Sequence, residues 1–175
     1  VIFASLLKIY FSPDGWLTGD SYGYLNHANS IRTGSFFYTC NPISNTKHFF
    51  STWPIGYSLL IGGFSFVSGL DVFISSKILN FVFLVVIGFY FKKYLKNNIL
   101  LIFLLFSVLL IKYIVLTLSE FVFIVLCFAF VFELTKSKFN PLVICLGFLI
   151  FLTRYLGVFI LPFLVILFLF YRKRE

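Results

Sequence analysis

Apolar residues fill this chain in long runs, and the polar positions that interrupt them set out its elements. Val1 to Phe11 reads as the end of a first transmembrane helix, with Lys8 near its exit. Pro13, Asp14 and Gly15 then make a turn. From Asp20 to Arg32 the pattern is that of a short amphipathic helix: Asp20, Tyr24, His27 and Ile31 recur at helical spacing, and Gly34 is placed to end it. Ser35 to Thr52 is a loop rich in Ser, Thr, Asn and aromatics. A new apolar run begins at Trp53-Pro54-Ile55-Gly56-Tyr57 and ends near Ser68-Gly69, with Pro54 suited to the first turn of a helix. At roughly 15 residues it is short for a span, which needs about 20. It also carries Gly56, Gly62 and Gly63. A re-entrant or surface-lying helix fits it, with a short true span as the alternative.

Val72 to Phe91 has the length and apolarity of a span, and Lys92 to Asn98 forms the polar stretch after it. Ile99 to Val115 is the next apolar run, interrupted by Thr117-Leu118-Ser119-Glu120 and resumed from Phe121 to Leu134. After Thr135 to Lys138 comes a short piece, Pro141 to Leu152, broken by Thr153-Arg154-Tyr155. Leu156 to Phe170 is the last span, closed by Tyr171 to Glu175. The expected fold is all-α: a polytopic helical membrane bundle of about six membrane segments with one re-entrant helix. It forms a single module over residues 1–175, with an external loop at about 13–71 and the remaining spans at about 72–171.

Composition strengthens this reading. The chain is 61% hydrophobic and 11% charged, with a mean hydropathy of +1.04, whereas soluble domains carry about 25% charged residues. No methionine occurs and the first residues are already apolar, which reads as a chain cut inside its first hydrophobic segment. The net charge of +8 does not call for nucleic acid, because basic residues of membrane proteins gather in cytoplasmic loops. If Trp53–Gly69 does not cross, then Lys92–Asn98, Lys136–Asn140 and Arg172–Glu175 share one side and hold three, two and three basic residues, eight of the 14. That side is the cytoplasm by the positive-inside rule, and Asp20, Glu120 and Arg154 face the other. Cys127 and Cys145 lie in apolar runs and read as core, while Cys40 lies in the polar loop, so no disulfide framework is indicated. No nucleotide-binding or zinc-ligand spacing occurs, and no internal repeat.

The order of polar landmarks resembles a known family. Asp20 follows the first span, Tyr24 and Ala28 recur at helical spacing, and Gly34 ends the helix. Pro54, Gly56 and Tyr57 open an apolar helix; Lys77 lies near the start of the next span, Glu120 opens a later one, and Thr153-Arg154 precedes the last. This resembles the amino-terminal catalytic module of GT-C fold glycosyltransferases, and within them the protein O-mannosyltransferase and lipid A aminoarabinose transferase group. The chain departs from the family's frequent Pro-Pro at Trp53-Pro54, and has Glu120 where Asp is more usual. The resemblance implies a sugar donor carried on a polyprenyl phosphate, an acceptor of unspecified kind, and a site on the non-cytoplasmic face, periplasmic or extracellular, of a bacterial inner membrane. It implies Asp20 as the catalytic acid–base and Glu120 as a second acid positioning acceptor or metal. Asp20 and Glu120 would be the ligands of a divalent cation, magnesium or manganese, if one is used.

The residue chemistry fits those roles beside plainer ones. Transfer from a lipid phosphate needs a base for the acceptor proton and a stabiliser for the departing phosphate. Asp20 suits the first task and equally suits helix N-capping. Arg154 and Lys77 are the candidates for the phosphate, because ionisable groups in spans are costly and are functional or snorkel to the surface. His27 would line the acceptor side or stand on the surface. Tyr22 and Tyr24 would stack on sugar or join an interfacial aromatic belt. Thr117-x-x-Glu120 reads as a capping box, Asp14 and Asp71 as turn and capping residues, and Glu133 as solvated near a cytoplasmic loop. The rival function is a lipid-linked saccharide transporter or a membrane scaffold. A transporter would carry midplane ionisable groups and inverted repeats, and neither is visible.

Overall fold

A computed structural model describes residues 17–40, 46–50, 52–94, 108–134 and 141–160, with positions 7, 10–12, 162 and 166. Most of the expected first span, the start of the Ile99–Val115 run and most of the Leu156–Phe170 span lie outside the described residues, as do the three basic clusters apart from Lys92 and Lys93.

The described chain is all-α save for one small hairpin. Helix α1 covers Gly19–Arg32. Its N-cap is Thr18, not Asp20: Thr18 Oγ1 accepts from the Ser21 amide and Ser21 Oγ accepts from the Thr18 amide, a reciprocal capping box. Asp20 thus sits in the first turn, where a carboxylate favours the helix dipole, and Arg32 sits in the last. Gly34, at φ +89°, follows the helix end as expected. Strands β1 (Tyr38–Cys40) and β2 (Lys47–Phe49) pair antiparallel, Thr39 opposite His48, within what reads from sequence as a plain loop.

Helix α2 covers Gly56–Ser68 and rises about 20 Å, short of the ~30 Å hydrocarbon core. It starts two residues after Pro54, so the proline precedes the first turn instead of opening it. Helix α3 (Val72–Tyr94) is capped by Asp71, whose Oδ1 accepts from the Phe73 amide, as its sequence suggested. Among the described residues its stretch Val72–Lys93 is the one helix long and apolar enough to cross a membrane. Then come α4 (Val108–Val115), α5 (Ser119–Leu134), α6 (Pro141–Thr153) and a 3-10 turn, Tyr155–Phe159. Pro141 opens α6, where its missing amide proton costs nothing.

Two apolar clusters join these helices. The larger gathers Tyr24 and Ala28 of α1, Tyr57 and Ile61 of α2, Leu126 of α5 and Ile150 of α6. The smaller joins Ile87 and Phe91 of α3 with Ile114 of α4 and Phe121 and Val125 of α5. Gly56 lets α2 meet α6 backbone to backbone, since a Cβ there would lie 2.6 Å from the Leu152 carbonyl.

A polar seam crosses this interior, and it corrects the expectation for Lys77. The residue is buried, and its ammonium donates to the Val115 carbonyl at 2.7 Å and to Thr117 Oγ1 at 2.9 Å. Asn80, one turn on, donates to the carbonyls of Ile114 and Leu116 and accepts from the Tyr57 hydroxyl. The last carbonyls of a helix have no partners within it and carry partial negative charge. Lys77 and Asn80 supply those partners for α4, so Lys77 holds a helix end rather than a lipid phosphate. The expected Thr117–Glu120 capping box gives way too: Thr117 faces Lys77 and Ser76, and α5 starts at Ser119. Replacing Asn80 by Leu strands the Tyr57 hydroxyl and two carbonyls. At about 1–3 kcal/mol for each unsatisfied group, partly offset by relaxation, a loss of about 2–4 kcal/mol is expected in denaturant unfolding of the detergent-solubilised protein. Lys77→Met is expected to destabilise in the same assay. A wild-type midpoint for both variants contradicts the assignment.

Two further expectations change. Glu133 is buried and accepts from the Tyr90 hydroxyl, so it is not solvated. Cys145 is exposed on α6 and Cys127 half-buried, so neither is a full core residue.

Candidate active site

The site forms where the starts of α1 and α5 meet the break after α6. Arg154 leaves helical geometry (φ −149°, ψ 142°) between α6 and the 3-10 turn. Its amide still donates to the Ile150 carbonyl, and its own carbonyl accepts from the Gly157 amide. That bend sends the side chain across to α5, where Nη1 lies 3.0 Å from Glu120 Oε1. Both side chains are about one-third exposed, at 33% and 28%, so the pair contributes about 0–1 kcal/mol to stability. The other carboxylate oxygen, Oε2, is buried and has no hydrogen-bond partner among the described residues. Such an atom is costly unless a further donor reaches it.

Helix α1 is pinned to the same place by Tyr24. Its hydroxyl lies 3.0 Å from Ser119 Oγ, directly before Glu120, and Ser58 donates to its backbone carbonyl. The ring packs edge-on to Tyr57 at 5.2 Å and tilted to Trp53 at 5.8 Å. Burial raises the Tyr24 phenol above its ordinary value. The Ser119 contact lowers it, Glu120 raises it, Arg154 lowers it and Asp20 raises it. The phenol therefore stays neutral, and it feels the charges of all three candidate residues. Asp20 lies one turn before Tyr24 on α1, exposed, its carboxylate free of the capping contacts.

Of the three residues that sequence reasoning put on one side, Glu120 and Arg154 meet in an ion pair, and Asp20 lies one turn before the Tyr24 phenol that feels all three charges. Tyr24 itself is the floor of the site rather than a sugar-stacking face or an interfacial belt residue, because its ring is 4% exposed. Tyr22, next to it, is exposed.

His27 is neither on the surface nor open to an acceptor. The ring is fully buried, stacks on Phe50 at 3.6 Å, and donates from Nε2 to the Phe36 carbonyl at 3.0 Å. It fastens the hairpin to α1. Burial lowers its pKa below the ordinary value, and the Phe36 contact only partly offsets this. The folded chain therefore binds this proton less readily than the unfolded chain. The stability it contributes is complete above about pH 6.5, the unfolded value, and falls as pH drops through the lowered folded value. Thermal unfolding followed across that window is expected to show this loss, and His27→Gln to flatten it; an unchanged slope in His27→Gln contradicts the assignment.

Among the described residues no three His, Cys, Asp or Glu side chains come together as a metal site. A divalent cation would have Asp20 and Glu120 to draw on, and a guanidinium already pairs one of them. Sequence reasoning gave no role to the hydroxyls of Ser119, which lies in the polar break before Phe121, and Tyr57, which served only as a landmark of the resemblance. Comparison with protein-family models, with curated proteins and with solved structures finds no match to this chain.

Proposed function

We propose that this chain is part of a polytopic membrane glycosyltransferase of GT-C type, moving a sugar from a polyprenyl-phosphate donor to an acceptor at the non-cytoplasmic face. The observation that carries this reading is the junction itself. A guanidinium at the break after α6 pairs with a carboxylate whose other oxygen is buried without a partner among the described residues, and an exposed carboxylate at the start of α1 bears with them on one buried phenol. Apolar helices surround it.

In this reading the acceptor hydroxyl attacks the anomeric carbon of the donor. A new carbon–oxygen bond forms, the bond from that carbon to the phosphate oxygen breaks, and the proton passes to the Asp20 carboxylate. The charge left on the lipid phosphate meets Arg154, whose planar donors suit a phosphate. Glu120 changes role from the expectation: one oxygen orients Arg154, and the other is buried, away from a substrate. Glu120 is thus a positioning residue first. The short α2, with its ~20 Å rise, supports the re-entrant reading of Trp53–Gly69.

The test supplies a labelled polyprenyl-phosphate sugar to membranes containing the protein. Release of polyprenyl phosphate together with labelled product is expected. Intact donor across a panel of hexose and pentose donors contradicts the proposal.

A further inference from the structure

The hairpin presents a cluster of aromatic rings that the interior does not use. Tyr38 and Phe49 stand opposite each other on the two strands and so share one face, their rings edge-on at 6.0 Å. The Phe37 ring stacks on Phe49 at 6.4 Å. Thr39 and His48, the next pair, turn to the other face and line the cavity beside α1. Phe36, Phe37, Tyr38 and Phe49 are each more than half exposed. Phe36 shares the wall of an apolar groove with Phe66, near the end of α2, and Phe66 and Val67 are 73% and 86% exposed. The apolar surface therefore continues from the hairpin onto α2.

Composition and position select what covers this patch. An exposed apolar surface of this kind marks a protein contact or a membrane contact. Lys47 is exposed on the same strand face as Phe49, and no Asp or Glu occurs from Ser35 to Thr52. Aromatic rings beside a cation, with no carboxylate among them, fit the surface of an anionic bilayer. The rings lie at the acyl boundary there and the ammonium at the phosphates. Depth agrees with this. Helix α2 ends at Ser68, Gly69 turns the chain at φ +71°, and α3, long and apolar enough to span, opens at Val72. A span that enters the hydrocarbon at Val72 leaves Phe66 at the membrane surface, with Phe36 across the groove from it. We propose that the hairpin is an interfacial anchor. Phe37, Tyr38 and Phe49 dip into an anionic leaflet, and Lys47 meets its phosphates. His27 fastens the hairpin to α1, so the anchor also holds α1, with Asp20 at its start, against that leaflet. The inference rests on the membrane part of the reading above, with α3 as a span, and not on sugar transfer.

The test puts photoreactive p-benzoylphenylalanine in place of Phe37, of Phe49 or of Phe89, an exposed residue of α3. The protein is held in nanodiscs of equal parts phosphatidylcholine and phosphatidylglycerol. Mass mapping after illumination reads what each position has joined. Lipid adducts are expected at all three. At positions 37 and 49 phosphatidylglycerol should exceed phosphatidylcholine about fivefold, the pull of one lysine near an anionic surface. At position 89 the two lipids should be equal. Lys47→Gln changes an exposed strand residue and should bring the ratio at position 49 down to that at 89. Lipid adducts at position 89 alone overturn the proposal: an unlabelled hairpin faces water, and a hairpin joined to protein is covered by another chain. An equal lipid ratio at all three positions, or a ratio that Lys47→Gln leaves unchanged, overturns it as well. Absence of lipid adducts at position 89 removes the membrane reading of α3 and the anchor with it. No sugar donor enters this experiment, so the anchor and the transferase fail separately.

Discussion

Replacing Asp20 by Asn is expected to lower sugar transfer by about 10²- to 10⁴-fold, the usual worth of a positioned general base. The substitution separates chemistry from folding unusually well. Thr18 and Ser21 cap α1, so the helix keeps its start when the carboxylate becomes an amide. What is lost is the interaction of an exposed first-turn charge with the helix dipole, about 0.3–1 kcal/mol. The unfolding midpoint should therefore barely move while transfer collapses. Asp20→Glu should recover part of the rate, because it restores a base with a longer reach. Wild-type transfer in Asp20→Asn would remove this residue from the mechanism.

Arg154→Gln is expected to cost about 10²- to 10³-fold in transfer, comparable to losing one preorganised donor to a developing anion. It also leaves the Glu120 carboxylate without its partner, with Oε2 already buried and without a hydrogen bond among the described residues, so some stability goes with it. The double variant Glu120→Gln, Arg154→Gln resolves the two effects. Removing both charges should return the unfolding midpoint close to wild type, because no unpaired charge remains. Transfer should stay low, because no cation meets the phosphate. If the double variant regains transfer along with stability, the pair is only a strut between α5 and the α6 break.

Much of this arrangement was legible in the sequence, for reasons tied to particular residues. Helix α1 announced itself through helical spacing and Gly34, and the α3 start through Asp71. The meeting of Glu120 and Arg154 was legible only as a shared side, because the contact depends on Arg154 leaving helical geometry. Lys77 misled because a cation in an apolar run reads as functional. Its true partners are the Val115 carbonyl at the end of α4 and the Thr117 hydroxyl just beyond it, and no Gly or Pro in the run marked that end. The hairpin escaped because its strands are three residues each and β2 is exposed throughout, so no alternating pattern appears. His27 escaped for a related reason, since Phe50 and Phe36 come over it only through that hairpin.

The proposed reaction needs Asp20 and Arg154 together, one as base and the other on the leaving phosphate. A double-mutant cycle in transfer tests that most directly, with initial rates of Asp20→Asn, Arg154→Gln and the combined variant measured on the same labelled donor. Groups that act as a unit lose most of their effect once either is gone. The combined variant is therefore predicted to transfer within about threefold of the slower single variant. A combined loss equal to the product of the two single losses would show that they act independently, and would contradict the shared site.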